Sequence, residues 1–142
     1  MAINTGRLLK KASNQLTKNF DRFASQFDLT NTQMSIIDYL SRHSNADILQ
    51  KDIENEFNIQ RSTTTVLLQR MERKQLLFRT PSTIDARQKF VHLTDKTTHL
   101  INAINHYMNQ QQQALTANFS TEEIKTFETI LNYYLNSNEP ER

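Results

Sequence analysis

Apolar residues recur along the first thirty positions at Leu8, Ala12, Leu16, Phe20, Phe23 and Phe27, spaced four, four, four, three and four. That period puts one apolar stripe on a helix, which is expected to end near Asp28. Thr30 and Gln33 have the spacing of a capping box, and Met34, Ile37 and Leu40 carry a second helix to about His43. After a polar loop, Ser44 to Asp47, a short third helix is expected over about Gln50 to Phe57 with Ile53 and Phe57 inward. Asn58 follows as a turn residue, because asparagine tolerates left-handed backbone angles.

A fourth helix is expected from about Arg61 to Lys74. The apolar period then switches, and Phe78–Arg79 and Phe90–Leu93 read as paired strands around a loop from Thr80 to Gln88. Thr94 is expected to cap a long fifth helix carrying Leu100 or Ile101, Ile104, Tyr107 or Met108, and Leu115 on one side. Ser120 and Glu123 form a second capping box, opening a sixth helix with Ile124, Phe127, Leu131 and Tyr134 inward. A small central lobe cannot cover the stripes of the first, fifth and sixth helices. Two chains interdigitating them would, and an intramolecular bundle is the alternative.

Composition sharpens this picture. One glycine and two prolines in 142 residues suit a mostly helical chain with short connections. The absence of cysteine excludes disulfides, thiolate metal sites, cysteine catalysis and thiol redox sensing. No apolar run approaches the ~20 residues that span a bilayer, so no membrane partner is expected. Leu8 and Leu9 are followed at once by Lys10 and Lys11, which does not read as a signal peptide, and a cytoplasmic location is expected.

Charge is uneven. Between Arg61 and Lys89 stand seven basic residues against Glu72 and Asp85, a net of +5, while the whole chain carries +2. A local basic excess in a mildly acidic remainder is the pattern of a polyanion-binding face, and a solvated charged surface is the competing reading.

The fourth helix has two faces. At about 100° per residue, Thr64, Leu67, Leu68 and Met71 fall together inward, leaving Ser62, Val66, Gln69 and Arg73 outward, flanked by Thr63, Thr65 and Arg70. Small hydroxyls beside Arg61 at its start allow close approach to a groove, and the helix dipole there favours a phosphate. Val66 suits a thymine methyl and Gln69 an adenine, whereas Arg70 and Arg73 suit phosphates. In the hairpin, Arg87 and Lys89 are placed to reach a neighbouring minor groove, with Asp85 bracing the loop. A salt bridge between Asp85 and Arg87 is the structural alternative, and both roles are compatible.

The helix order and the run Asp85-x-Arg87-x-x-x-Val91-x-Leu93-Thr94 resemble the multiple-antibiotic-resistance regulator (MarR) family over about Leu8 to Leu135. The resemblance implies a mainly helical fold with a small β-wing: a winged helix-turn-helix lobe at 30–94 inside a single domain of 1–142, flanked by dimerisation helices at 1–28 and 95–138. It implies a homodimer that binds a pseudo-palindromic duplex operator, most simply as a repressor. Release by a small anionic or phenolic ligand would use a cleft lined by Phe23, Tyr39, Arg42, His43 and Leu100. No cofactor is implied. Two positions depart from the family pattern. Gln75 stands where a glycine usually ends the recognition helix, and Glu54 follows Ile53 where a small residue is usual. Either Gln75 is held left-handed at a cost of roughly 1 kcal/mol, or the helix ends differently and re-aims the wing.

Other chemistries have less support. His99 and His106 lie seven apart on one helical face with His43 as a possible neighbour, which raises a zinc-responsive regulator of the same fold, yet no Asp or Glu partner is evident. His92 is expected to be structural. No Gly-rich phosphate loop or nucleophile–base spacing suggests an enzyme. A winged-helix protein-interaction module, such as an antirepressor, remains the alternative outside DNA binding.

Overall fold

The computed structural model describes residues 2–137. Its elements, in chain order, are α1 (Thr5–Ser25), α2 (Asn31–Arg42), α3 (Gln50–Phe57), α4 (Arg61–Arg73), β1 (Leu77–Pro81), β2 (Lys89–Leu93), α5 (Thr98–Asn118) and α6 (Thr121–Leu135). A 3-10 turn, Asp95–Thr97, precedes α5. This is the mainly α fold with a two-stranded wing that the sequence predicts. The chain divides after Ile101 into two compact units. The first therefore holds α1 together with the winged-helix elements, and the C-terminal segment expected over 95–138 ends one residue beyond the described range.

In the first unit, α1 packs on α2 through Phe20 and Ala24, both buried, and α2 buries Met34, Ile36, Ile37 and Leu40. Thr30 caps α2 as expected: its Oγ1 accepts from the Gln33 N–H at 3.2 Å, and Gln33 Oε1 accepts from the Thr30 N–H at 3.1 Å. The first half of α1 is uncovered within the chain, with Leu8 and Leu16 about half exposed.

Three helix ends close on left-handed residues, and none of these is glycine: Asp28, Asn58 and Gln75, with φ of 58°, 51° and 61°. At Gln75 the hydrogen bonds have the Schellman pattern, Leu76 N–H to Met71 O at 3.0 Å and Gln75 N–H to Glu72 O at 2.9 Å. α4 thus ends in a Schellman turn, and glutamine bears the backbone strain. Thr94 does not cap a helix with its side chain. Its Oγ1 instead donates to the Gln75 carbonyl at 2.6 Å, and its N–H to Leu76 O at 3.0 Å, so the strained turn is pinned from the far end of the wing.

The wing strands are antiparallel, Leu77 opposite Leu93 and Arg79 opposite Val91. Leu77 and Val91 are buried beneath them. A third piece, invisible in the hydrophobic pattern, completes the base: Val91 N–H donates to Ile48 O at 2.8 Å, and Leu49 bridges Phe90.

In the second unit, Ser120 and Glu123 form the expected capping box. Ile104 and Ile124 are buried, but Phe127 and Tyr134, expected inward, are 46% and 37% exposed, beside Ile130, Tyr133 and Leu135. Within one chain the apolar face of α6 is open.

Candidate nucleic-acid interface

The turn between α3 and α4 is made by Asn58, whose left-handed backbone lets the Ile59 N–H reach Glu54 O at 3.0 Å. α4 is anchored by Thr64, Leu68 and Met71, all fully buried. Ser62, Thr63, Val66, Gln69, Arg70 and Arg73 face outward, as the helical period predicts, with Val66 48% exposed. Thr65 behaves otherwise. Its hydroxyl donates to Arg61 O at 2.9 Å and accepts from Gln50 Nε2 at 2.9 Å, so it serves the joint between α3 and α4 rather than standing free on the outer face.

That joint is polar and connected. Gln50 is buried, and its Nε2 also donates to Glu54 Oε2 at 3.3 Å. Its Oε1 accepts from Arg79 Nη1 at 3.1 Å, and Arg79 in turn donates to Glu72 Oε1 through Nε at 2.9 Å and Nη2 at 2.7 Å. Glu54, the residue at odds with the family pattern, is thereby used, and Arg79 is a strut with its side chain only 13% exposed. Spacing could not reveal this cluster, because its members come from α3, α4 and β1.

The wing loop is tightly tied. Asp85 accepts two bonds from the Arg87 guanidinium, at 3.1 and 3.2 Å, and a third from the Arg87 backbone N–H at 3.0 Å. These bonds hold the Asp85 carboxyl below its usual range, the side-chain contact contributing most. The brace expected between these residues is present, while the Arg87 side chain remains 88% exposed. A cleft of about 160 Å³ runs between the start of α4 and the wing, and it brings Arg61, Arg87 and Lys89 together beside the Gln50–Arg79 cluster. On the other flank of α4, Arg70, Arg73 and Lys74 line an open cleft of about 590 Å³ against the α1–α2 turn. Lys74 is engaged there by the backbone carbonyl and carboxylate of Asp28.

The five residues expected to line a ligand cleft do not share one of the described cavities. The cavity at His43 is lined by Leu40, Ile48 and Val91 and by none of the other four. Arg42 pairs with Asp38 at 3.3 Å, Phe23 stacks with Phe20 and meets Phe27 edge-on, and Leu100 is buried. Tyr39 packs on His43 and Phe57, and His43 Nδ1 donates to Tyr39 O at 2.8 Å. Burial, with the fields of Asp52 and Glu56, raises the Tyr39 phenol above its usual range against the opposing Arg42.

His92 is built into the wing, stacked on Phe78 and hydrogen-bonded to Thr80 Oγ1 at 2.9 Å. Among the described residues no three His, Cys, Asp or Glu side chains stand close enough to hold a metal ion, and no helix is long and apolar enough to cross a membrane.

Comparison with known proteins places this geometry. A family model described as the MarR family matches residues 27–88. The solved transcription regulator MarR from Oenococcus oeni PSU-1 is 51% identical, with 94% of this chain and 100% of that one covered and a TM-score of 0.76. The MepR–DNA complex of Staphylococcus aureus is 28% identical over 94% and 97% of the two chains, with a TM-score of 0.82. The HTH-type transcriptional regulator MgrA of Staphylococcus aureus is 26% identical over 124 residues, 87% of this chain and 82% of that one.

Proposed function

Because the chain belongs to the MarR family of winged-helix transcriptional regulators, a family of regulators and not of enzymes, we propose that it is a cytoplasmic homodimeric repressor of pseudo-palindromic operators. The observation that carries this reading is the junction of α4 and the wing, where Arg61, Arg87 and Lys89 converge beside an outward face of hydroxyls, Val66 and Gln69. α4 enters the major groove: Ser62 and Thr63 approach the backbone, Val66 meets a thymine methyl, Gln69 pairs with an adenine edge, and Arg70 and Arg73 neutralise phosphates. Arg87 and Lys89 engage the adjacent minor groove and its phosphates. The likeness to MepR bound to DNA supports this docking.

Dimerisation uses the apolar faces that one chain leaves open, Leu8 and Leu16 on α1 and Phe127, Ile130 and Leu135 on α6. The segments assigned to it are 1–28 and 95–138, and the DNA-binding lobe is 30–94. Release by a small anionic or phenolic ligand would act by population shift, favouring dimers whose recognition helices no longer match successive major grooves. Its test is operator binding with and without salicylate-like anions.

DNA binding itself is tested by a salt titration with duplex DNA. Neutralised phosphates give a steep linear fall of log affinity with log salt. A flat dependence would favour a protein-interaction module.

A further inference from the structure

Ile84 stands at the tip of the wing with 94% of its surface exposed, the most exposed large apolar side chain among the described residues. The loop that carries it is not slack. Ser82 Oγ accepts from the N–H groups of Ile84 and Asp85 at 3.2 and 3.4 Å, and Gln88 N–H donates to Asp85 O at 2.9 Å. Ser82 N–H donates to Gln88 O at 3.0 Å, and Asp85 holds Arg87. The polar groups of the tip are thus turned on one another, and a stiff β-branched side chain is presented outward. The same loop carries Arg87 and leads into Lys89 at the start of β2, so its charge suits an anionic surface.

Resting on the reading of the wing as a minor-groove element, we propose that Ile84 is a specificity-determining residue that selects A·T over G·C pairs beneath the wing. In the minor groove both orientations of an A·T pair present only acceptors, whereas a G·C pair adds the guanine 2-amino donor. A branched apolar side chain lying on that floor fits an A·T step. Over a G·C step it collides with the amine and strips its water without offering an acceptor. Arg87 then supplies attraction and Ile84 supplies rejection, a division of labour by which specificity commonly arises.

The test uses the full chain and a duplex that it selects from random sequence, with each position flanking the half-sites changed in turn from A·T to G·C and to inosine·C. Inosine keeps the major-groove face of guanine and lacks the 2-amino group. At the positions under the wing, G·C is expected to weaken binding about tenfold, and inosine·C to restore it. Ile84→Ala is expected to bind all three forms nearly alike, and Ile84→Val to keep the preference. The side chain is exposed, so thermal unfolding should match the unmodified protein in both variants. Equal binding of A·T and G·C forms by the unmodified protein overturns the proposal. So does a preference that survives Ile84→Ala, which would assign it to groove width and Arg87. Failure to select any duplex would overturn the DNA-binding reading as well, which separates the two.

Discussion

Arg79 Nη1 donates to Gln50 Oε1 at 3.1 Å, tying the first wing strand to the start of the helix that precedes the recognition helix. Through Glu72 on one side and Thr65 on the other, this bond fixes the wing and α4 as one piece. In the proposed docking, the angle between the two sets how α4 and the wing meet a major and a minor groove together.

Gln50→Ala removes the acceptor from a guanidinium that is mostly buried and a donor from Thr65. It is expected to cost about 1–3 kcal/mol of stability, read by denaturant unfolding, and to weaken duplex binding although Gln50 touches no DNA in the proposed docking. Unchanged stability and unchanged binding would show that the Gln50–Arg79 bond does not act as a strut.

Gln75→Gly should raise stability by about 1 kcal/mol, since the backbone at φ 61° no longer crowds a Cβ. Asn58→Gly, at φ 51°, should change it less, because asparagine already tolerates that conformation. Thermal or denaturant midpoints of the two variants, measured side by side, check the ordering.

Arg87→Ala should weaken duplex binding and lower the slope of log affinity against log salt by about one. It should also let the Asp85 carboxyl return upward toward its ordinary value, which an NMR titration of that residue reads directly. A depressed folded-state pKa means the brace is fully formed above the ordinary carboxylate range and is lost as pH falls through the lowered value. The wing loop should therefore keep its shape throughout neutral and mildly acidic conditions.

Leu16→Glu should produce a folded monomer. Leu16 is 52% exposed in the single chain, so the charge strands nothing within it, but it cannot be buried against a partner. Light scattering at micromolar concentration distinguishes monomer from dimer, and a monomeric unmodified protein would contradict the dimer reading.

Much of the fold was legible because its signals are local. The capping boxes at Thr30–Gln33 and Ser120–Glu123, the turn at Asn58 and the two faces of α4 each reside in a few consecutive residues. Thr94 departs from its expected capping role because a threonine before a helix reads as a cap, while its hydroxyl's partner, the Gln75 carbonyl, lies 19 residues away. The Gln50–Arg79 cluster and the Ile48–Val91 bond were hidden for the same reason: they join residues far apart in the chain, and no spacing encodes them. Thr65 looked outward by helical period until Gln50 reached across to it. The partners of the residues proposed to line a ligand cleft were equally hidden, since the ring contacts of Tyr39 with His43 and Phe57 are settled by packing between helices rather than by spacing.

In the proposed assembly two copies of this chain read one duplex through α4 and the wing. Selection of bound sequences from random duplex DNA tests it most directly. The expected result is enrichment of two inverted half-sites whose centres lie about one helical turn, roughly 10 base pairs, or a multiple of it apart. Enrichment of a single unpaired motif, or no enrichment at all, would contradict it.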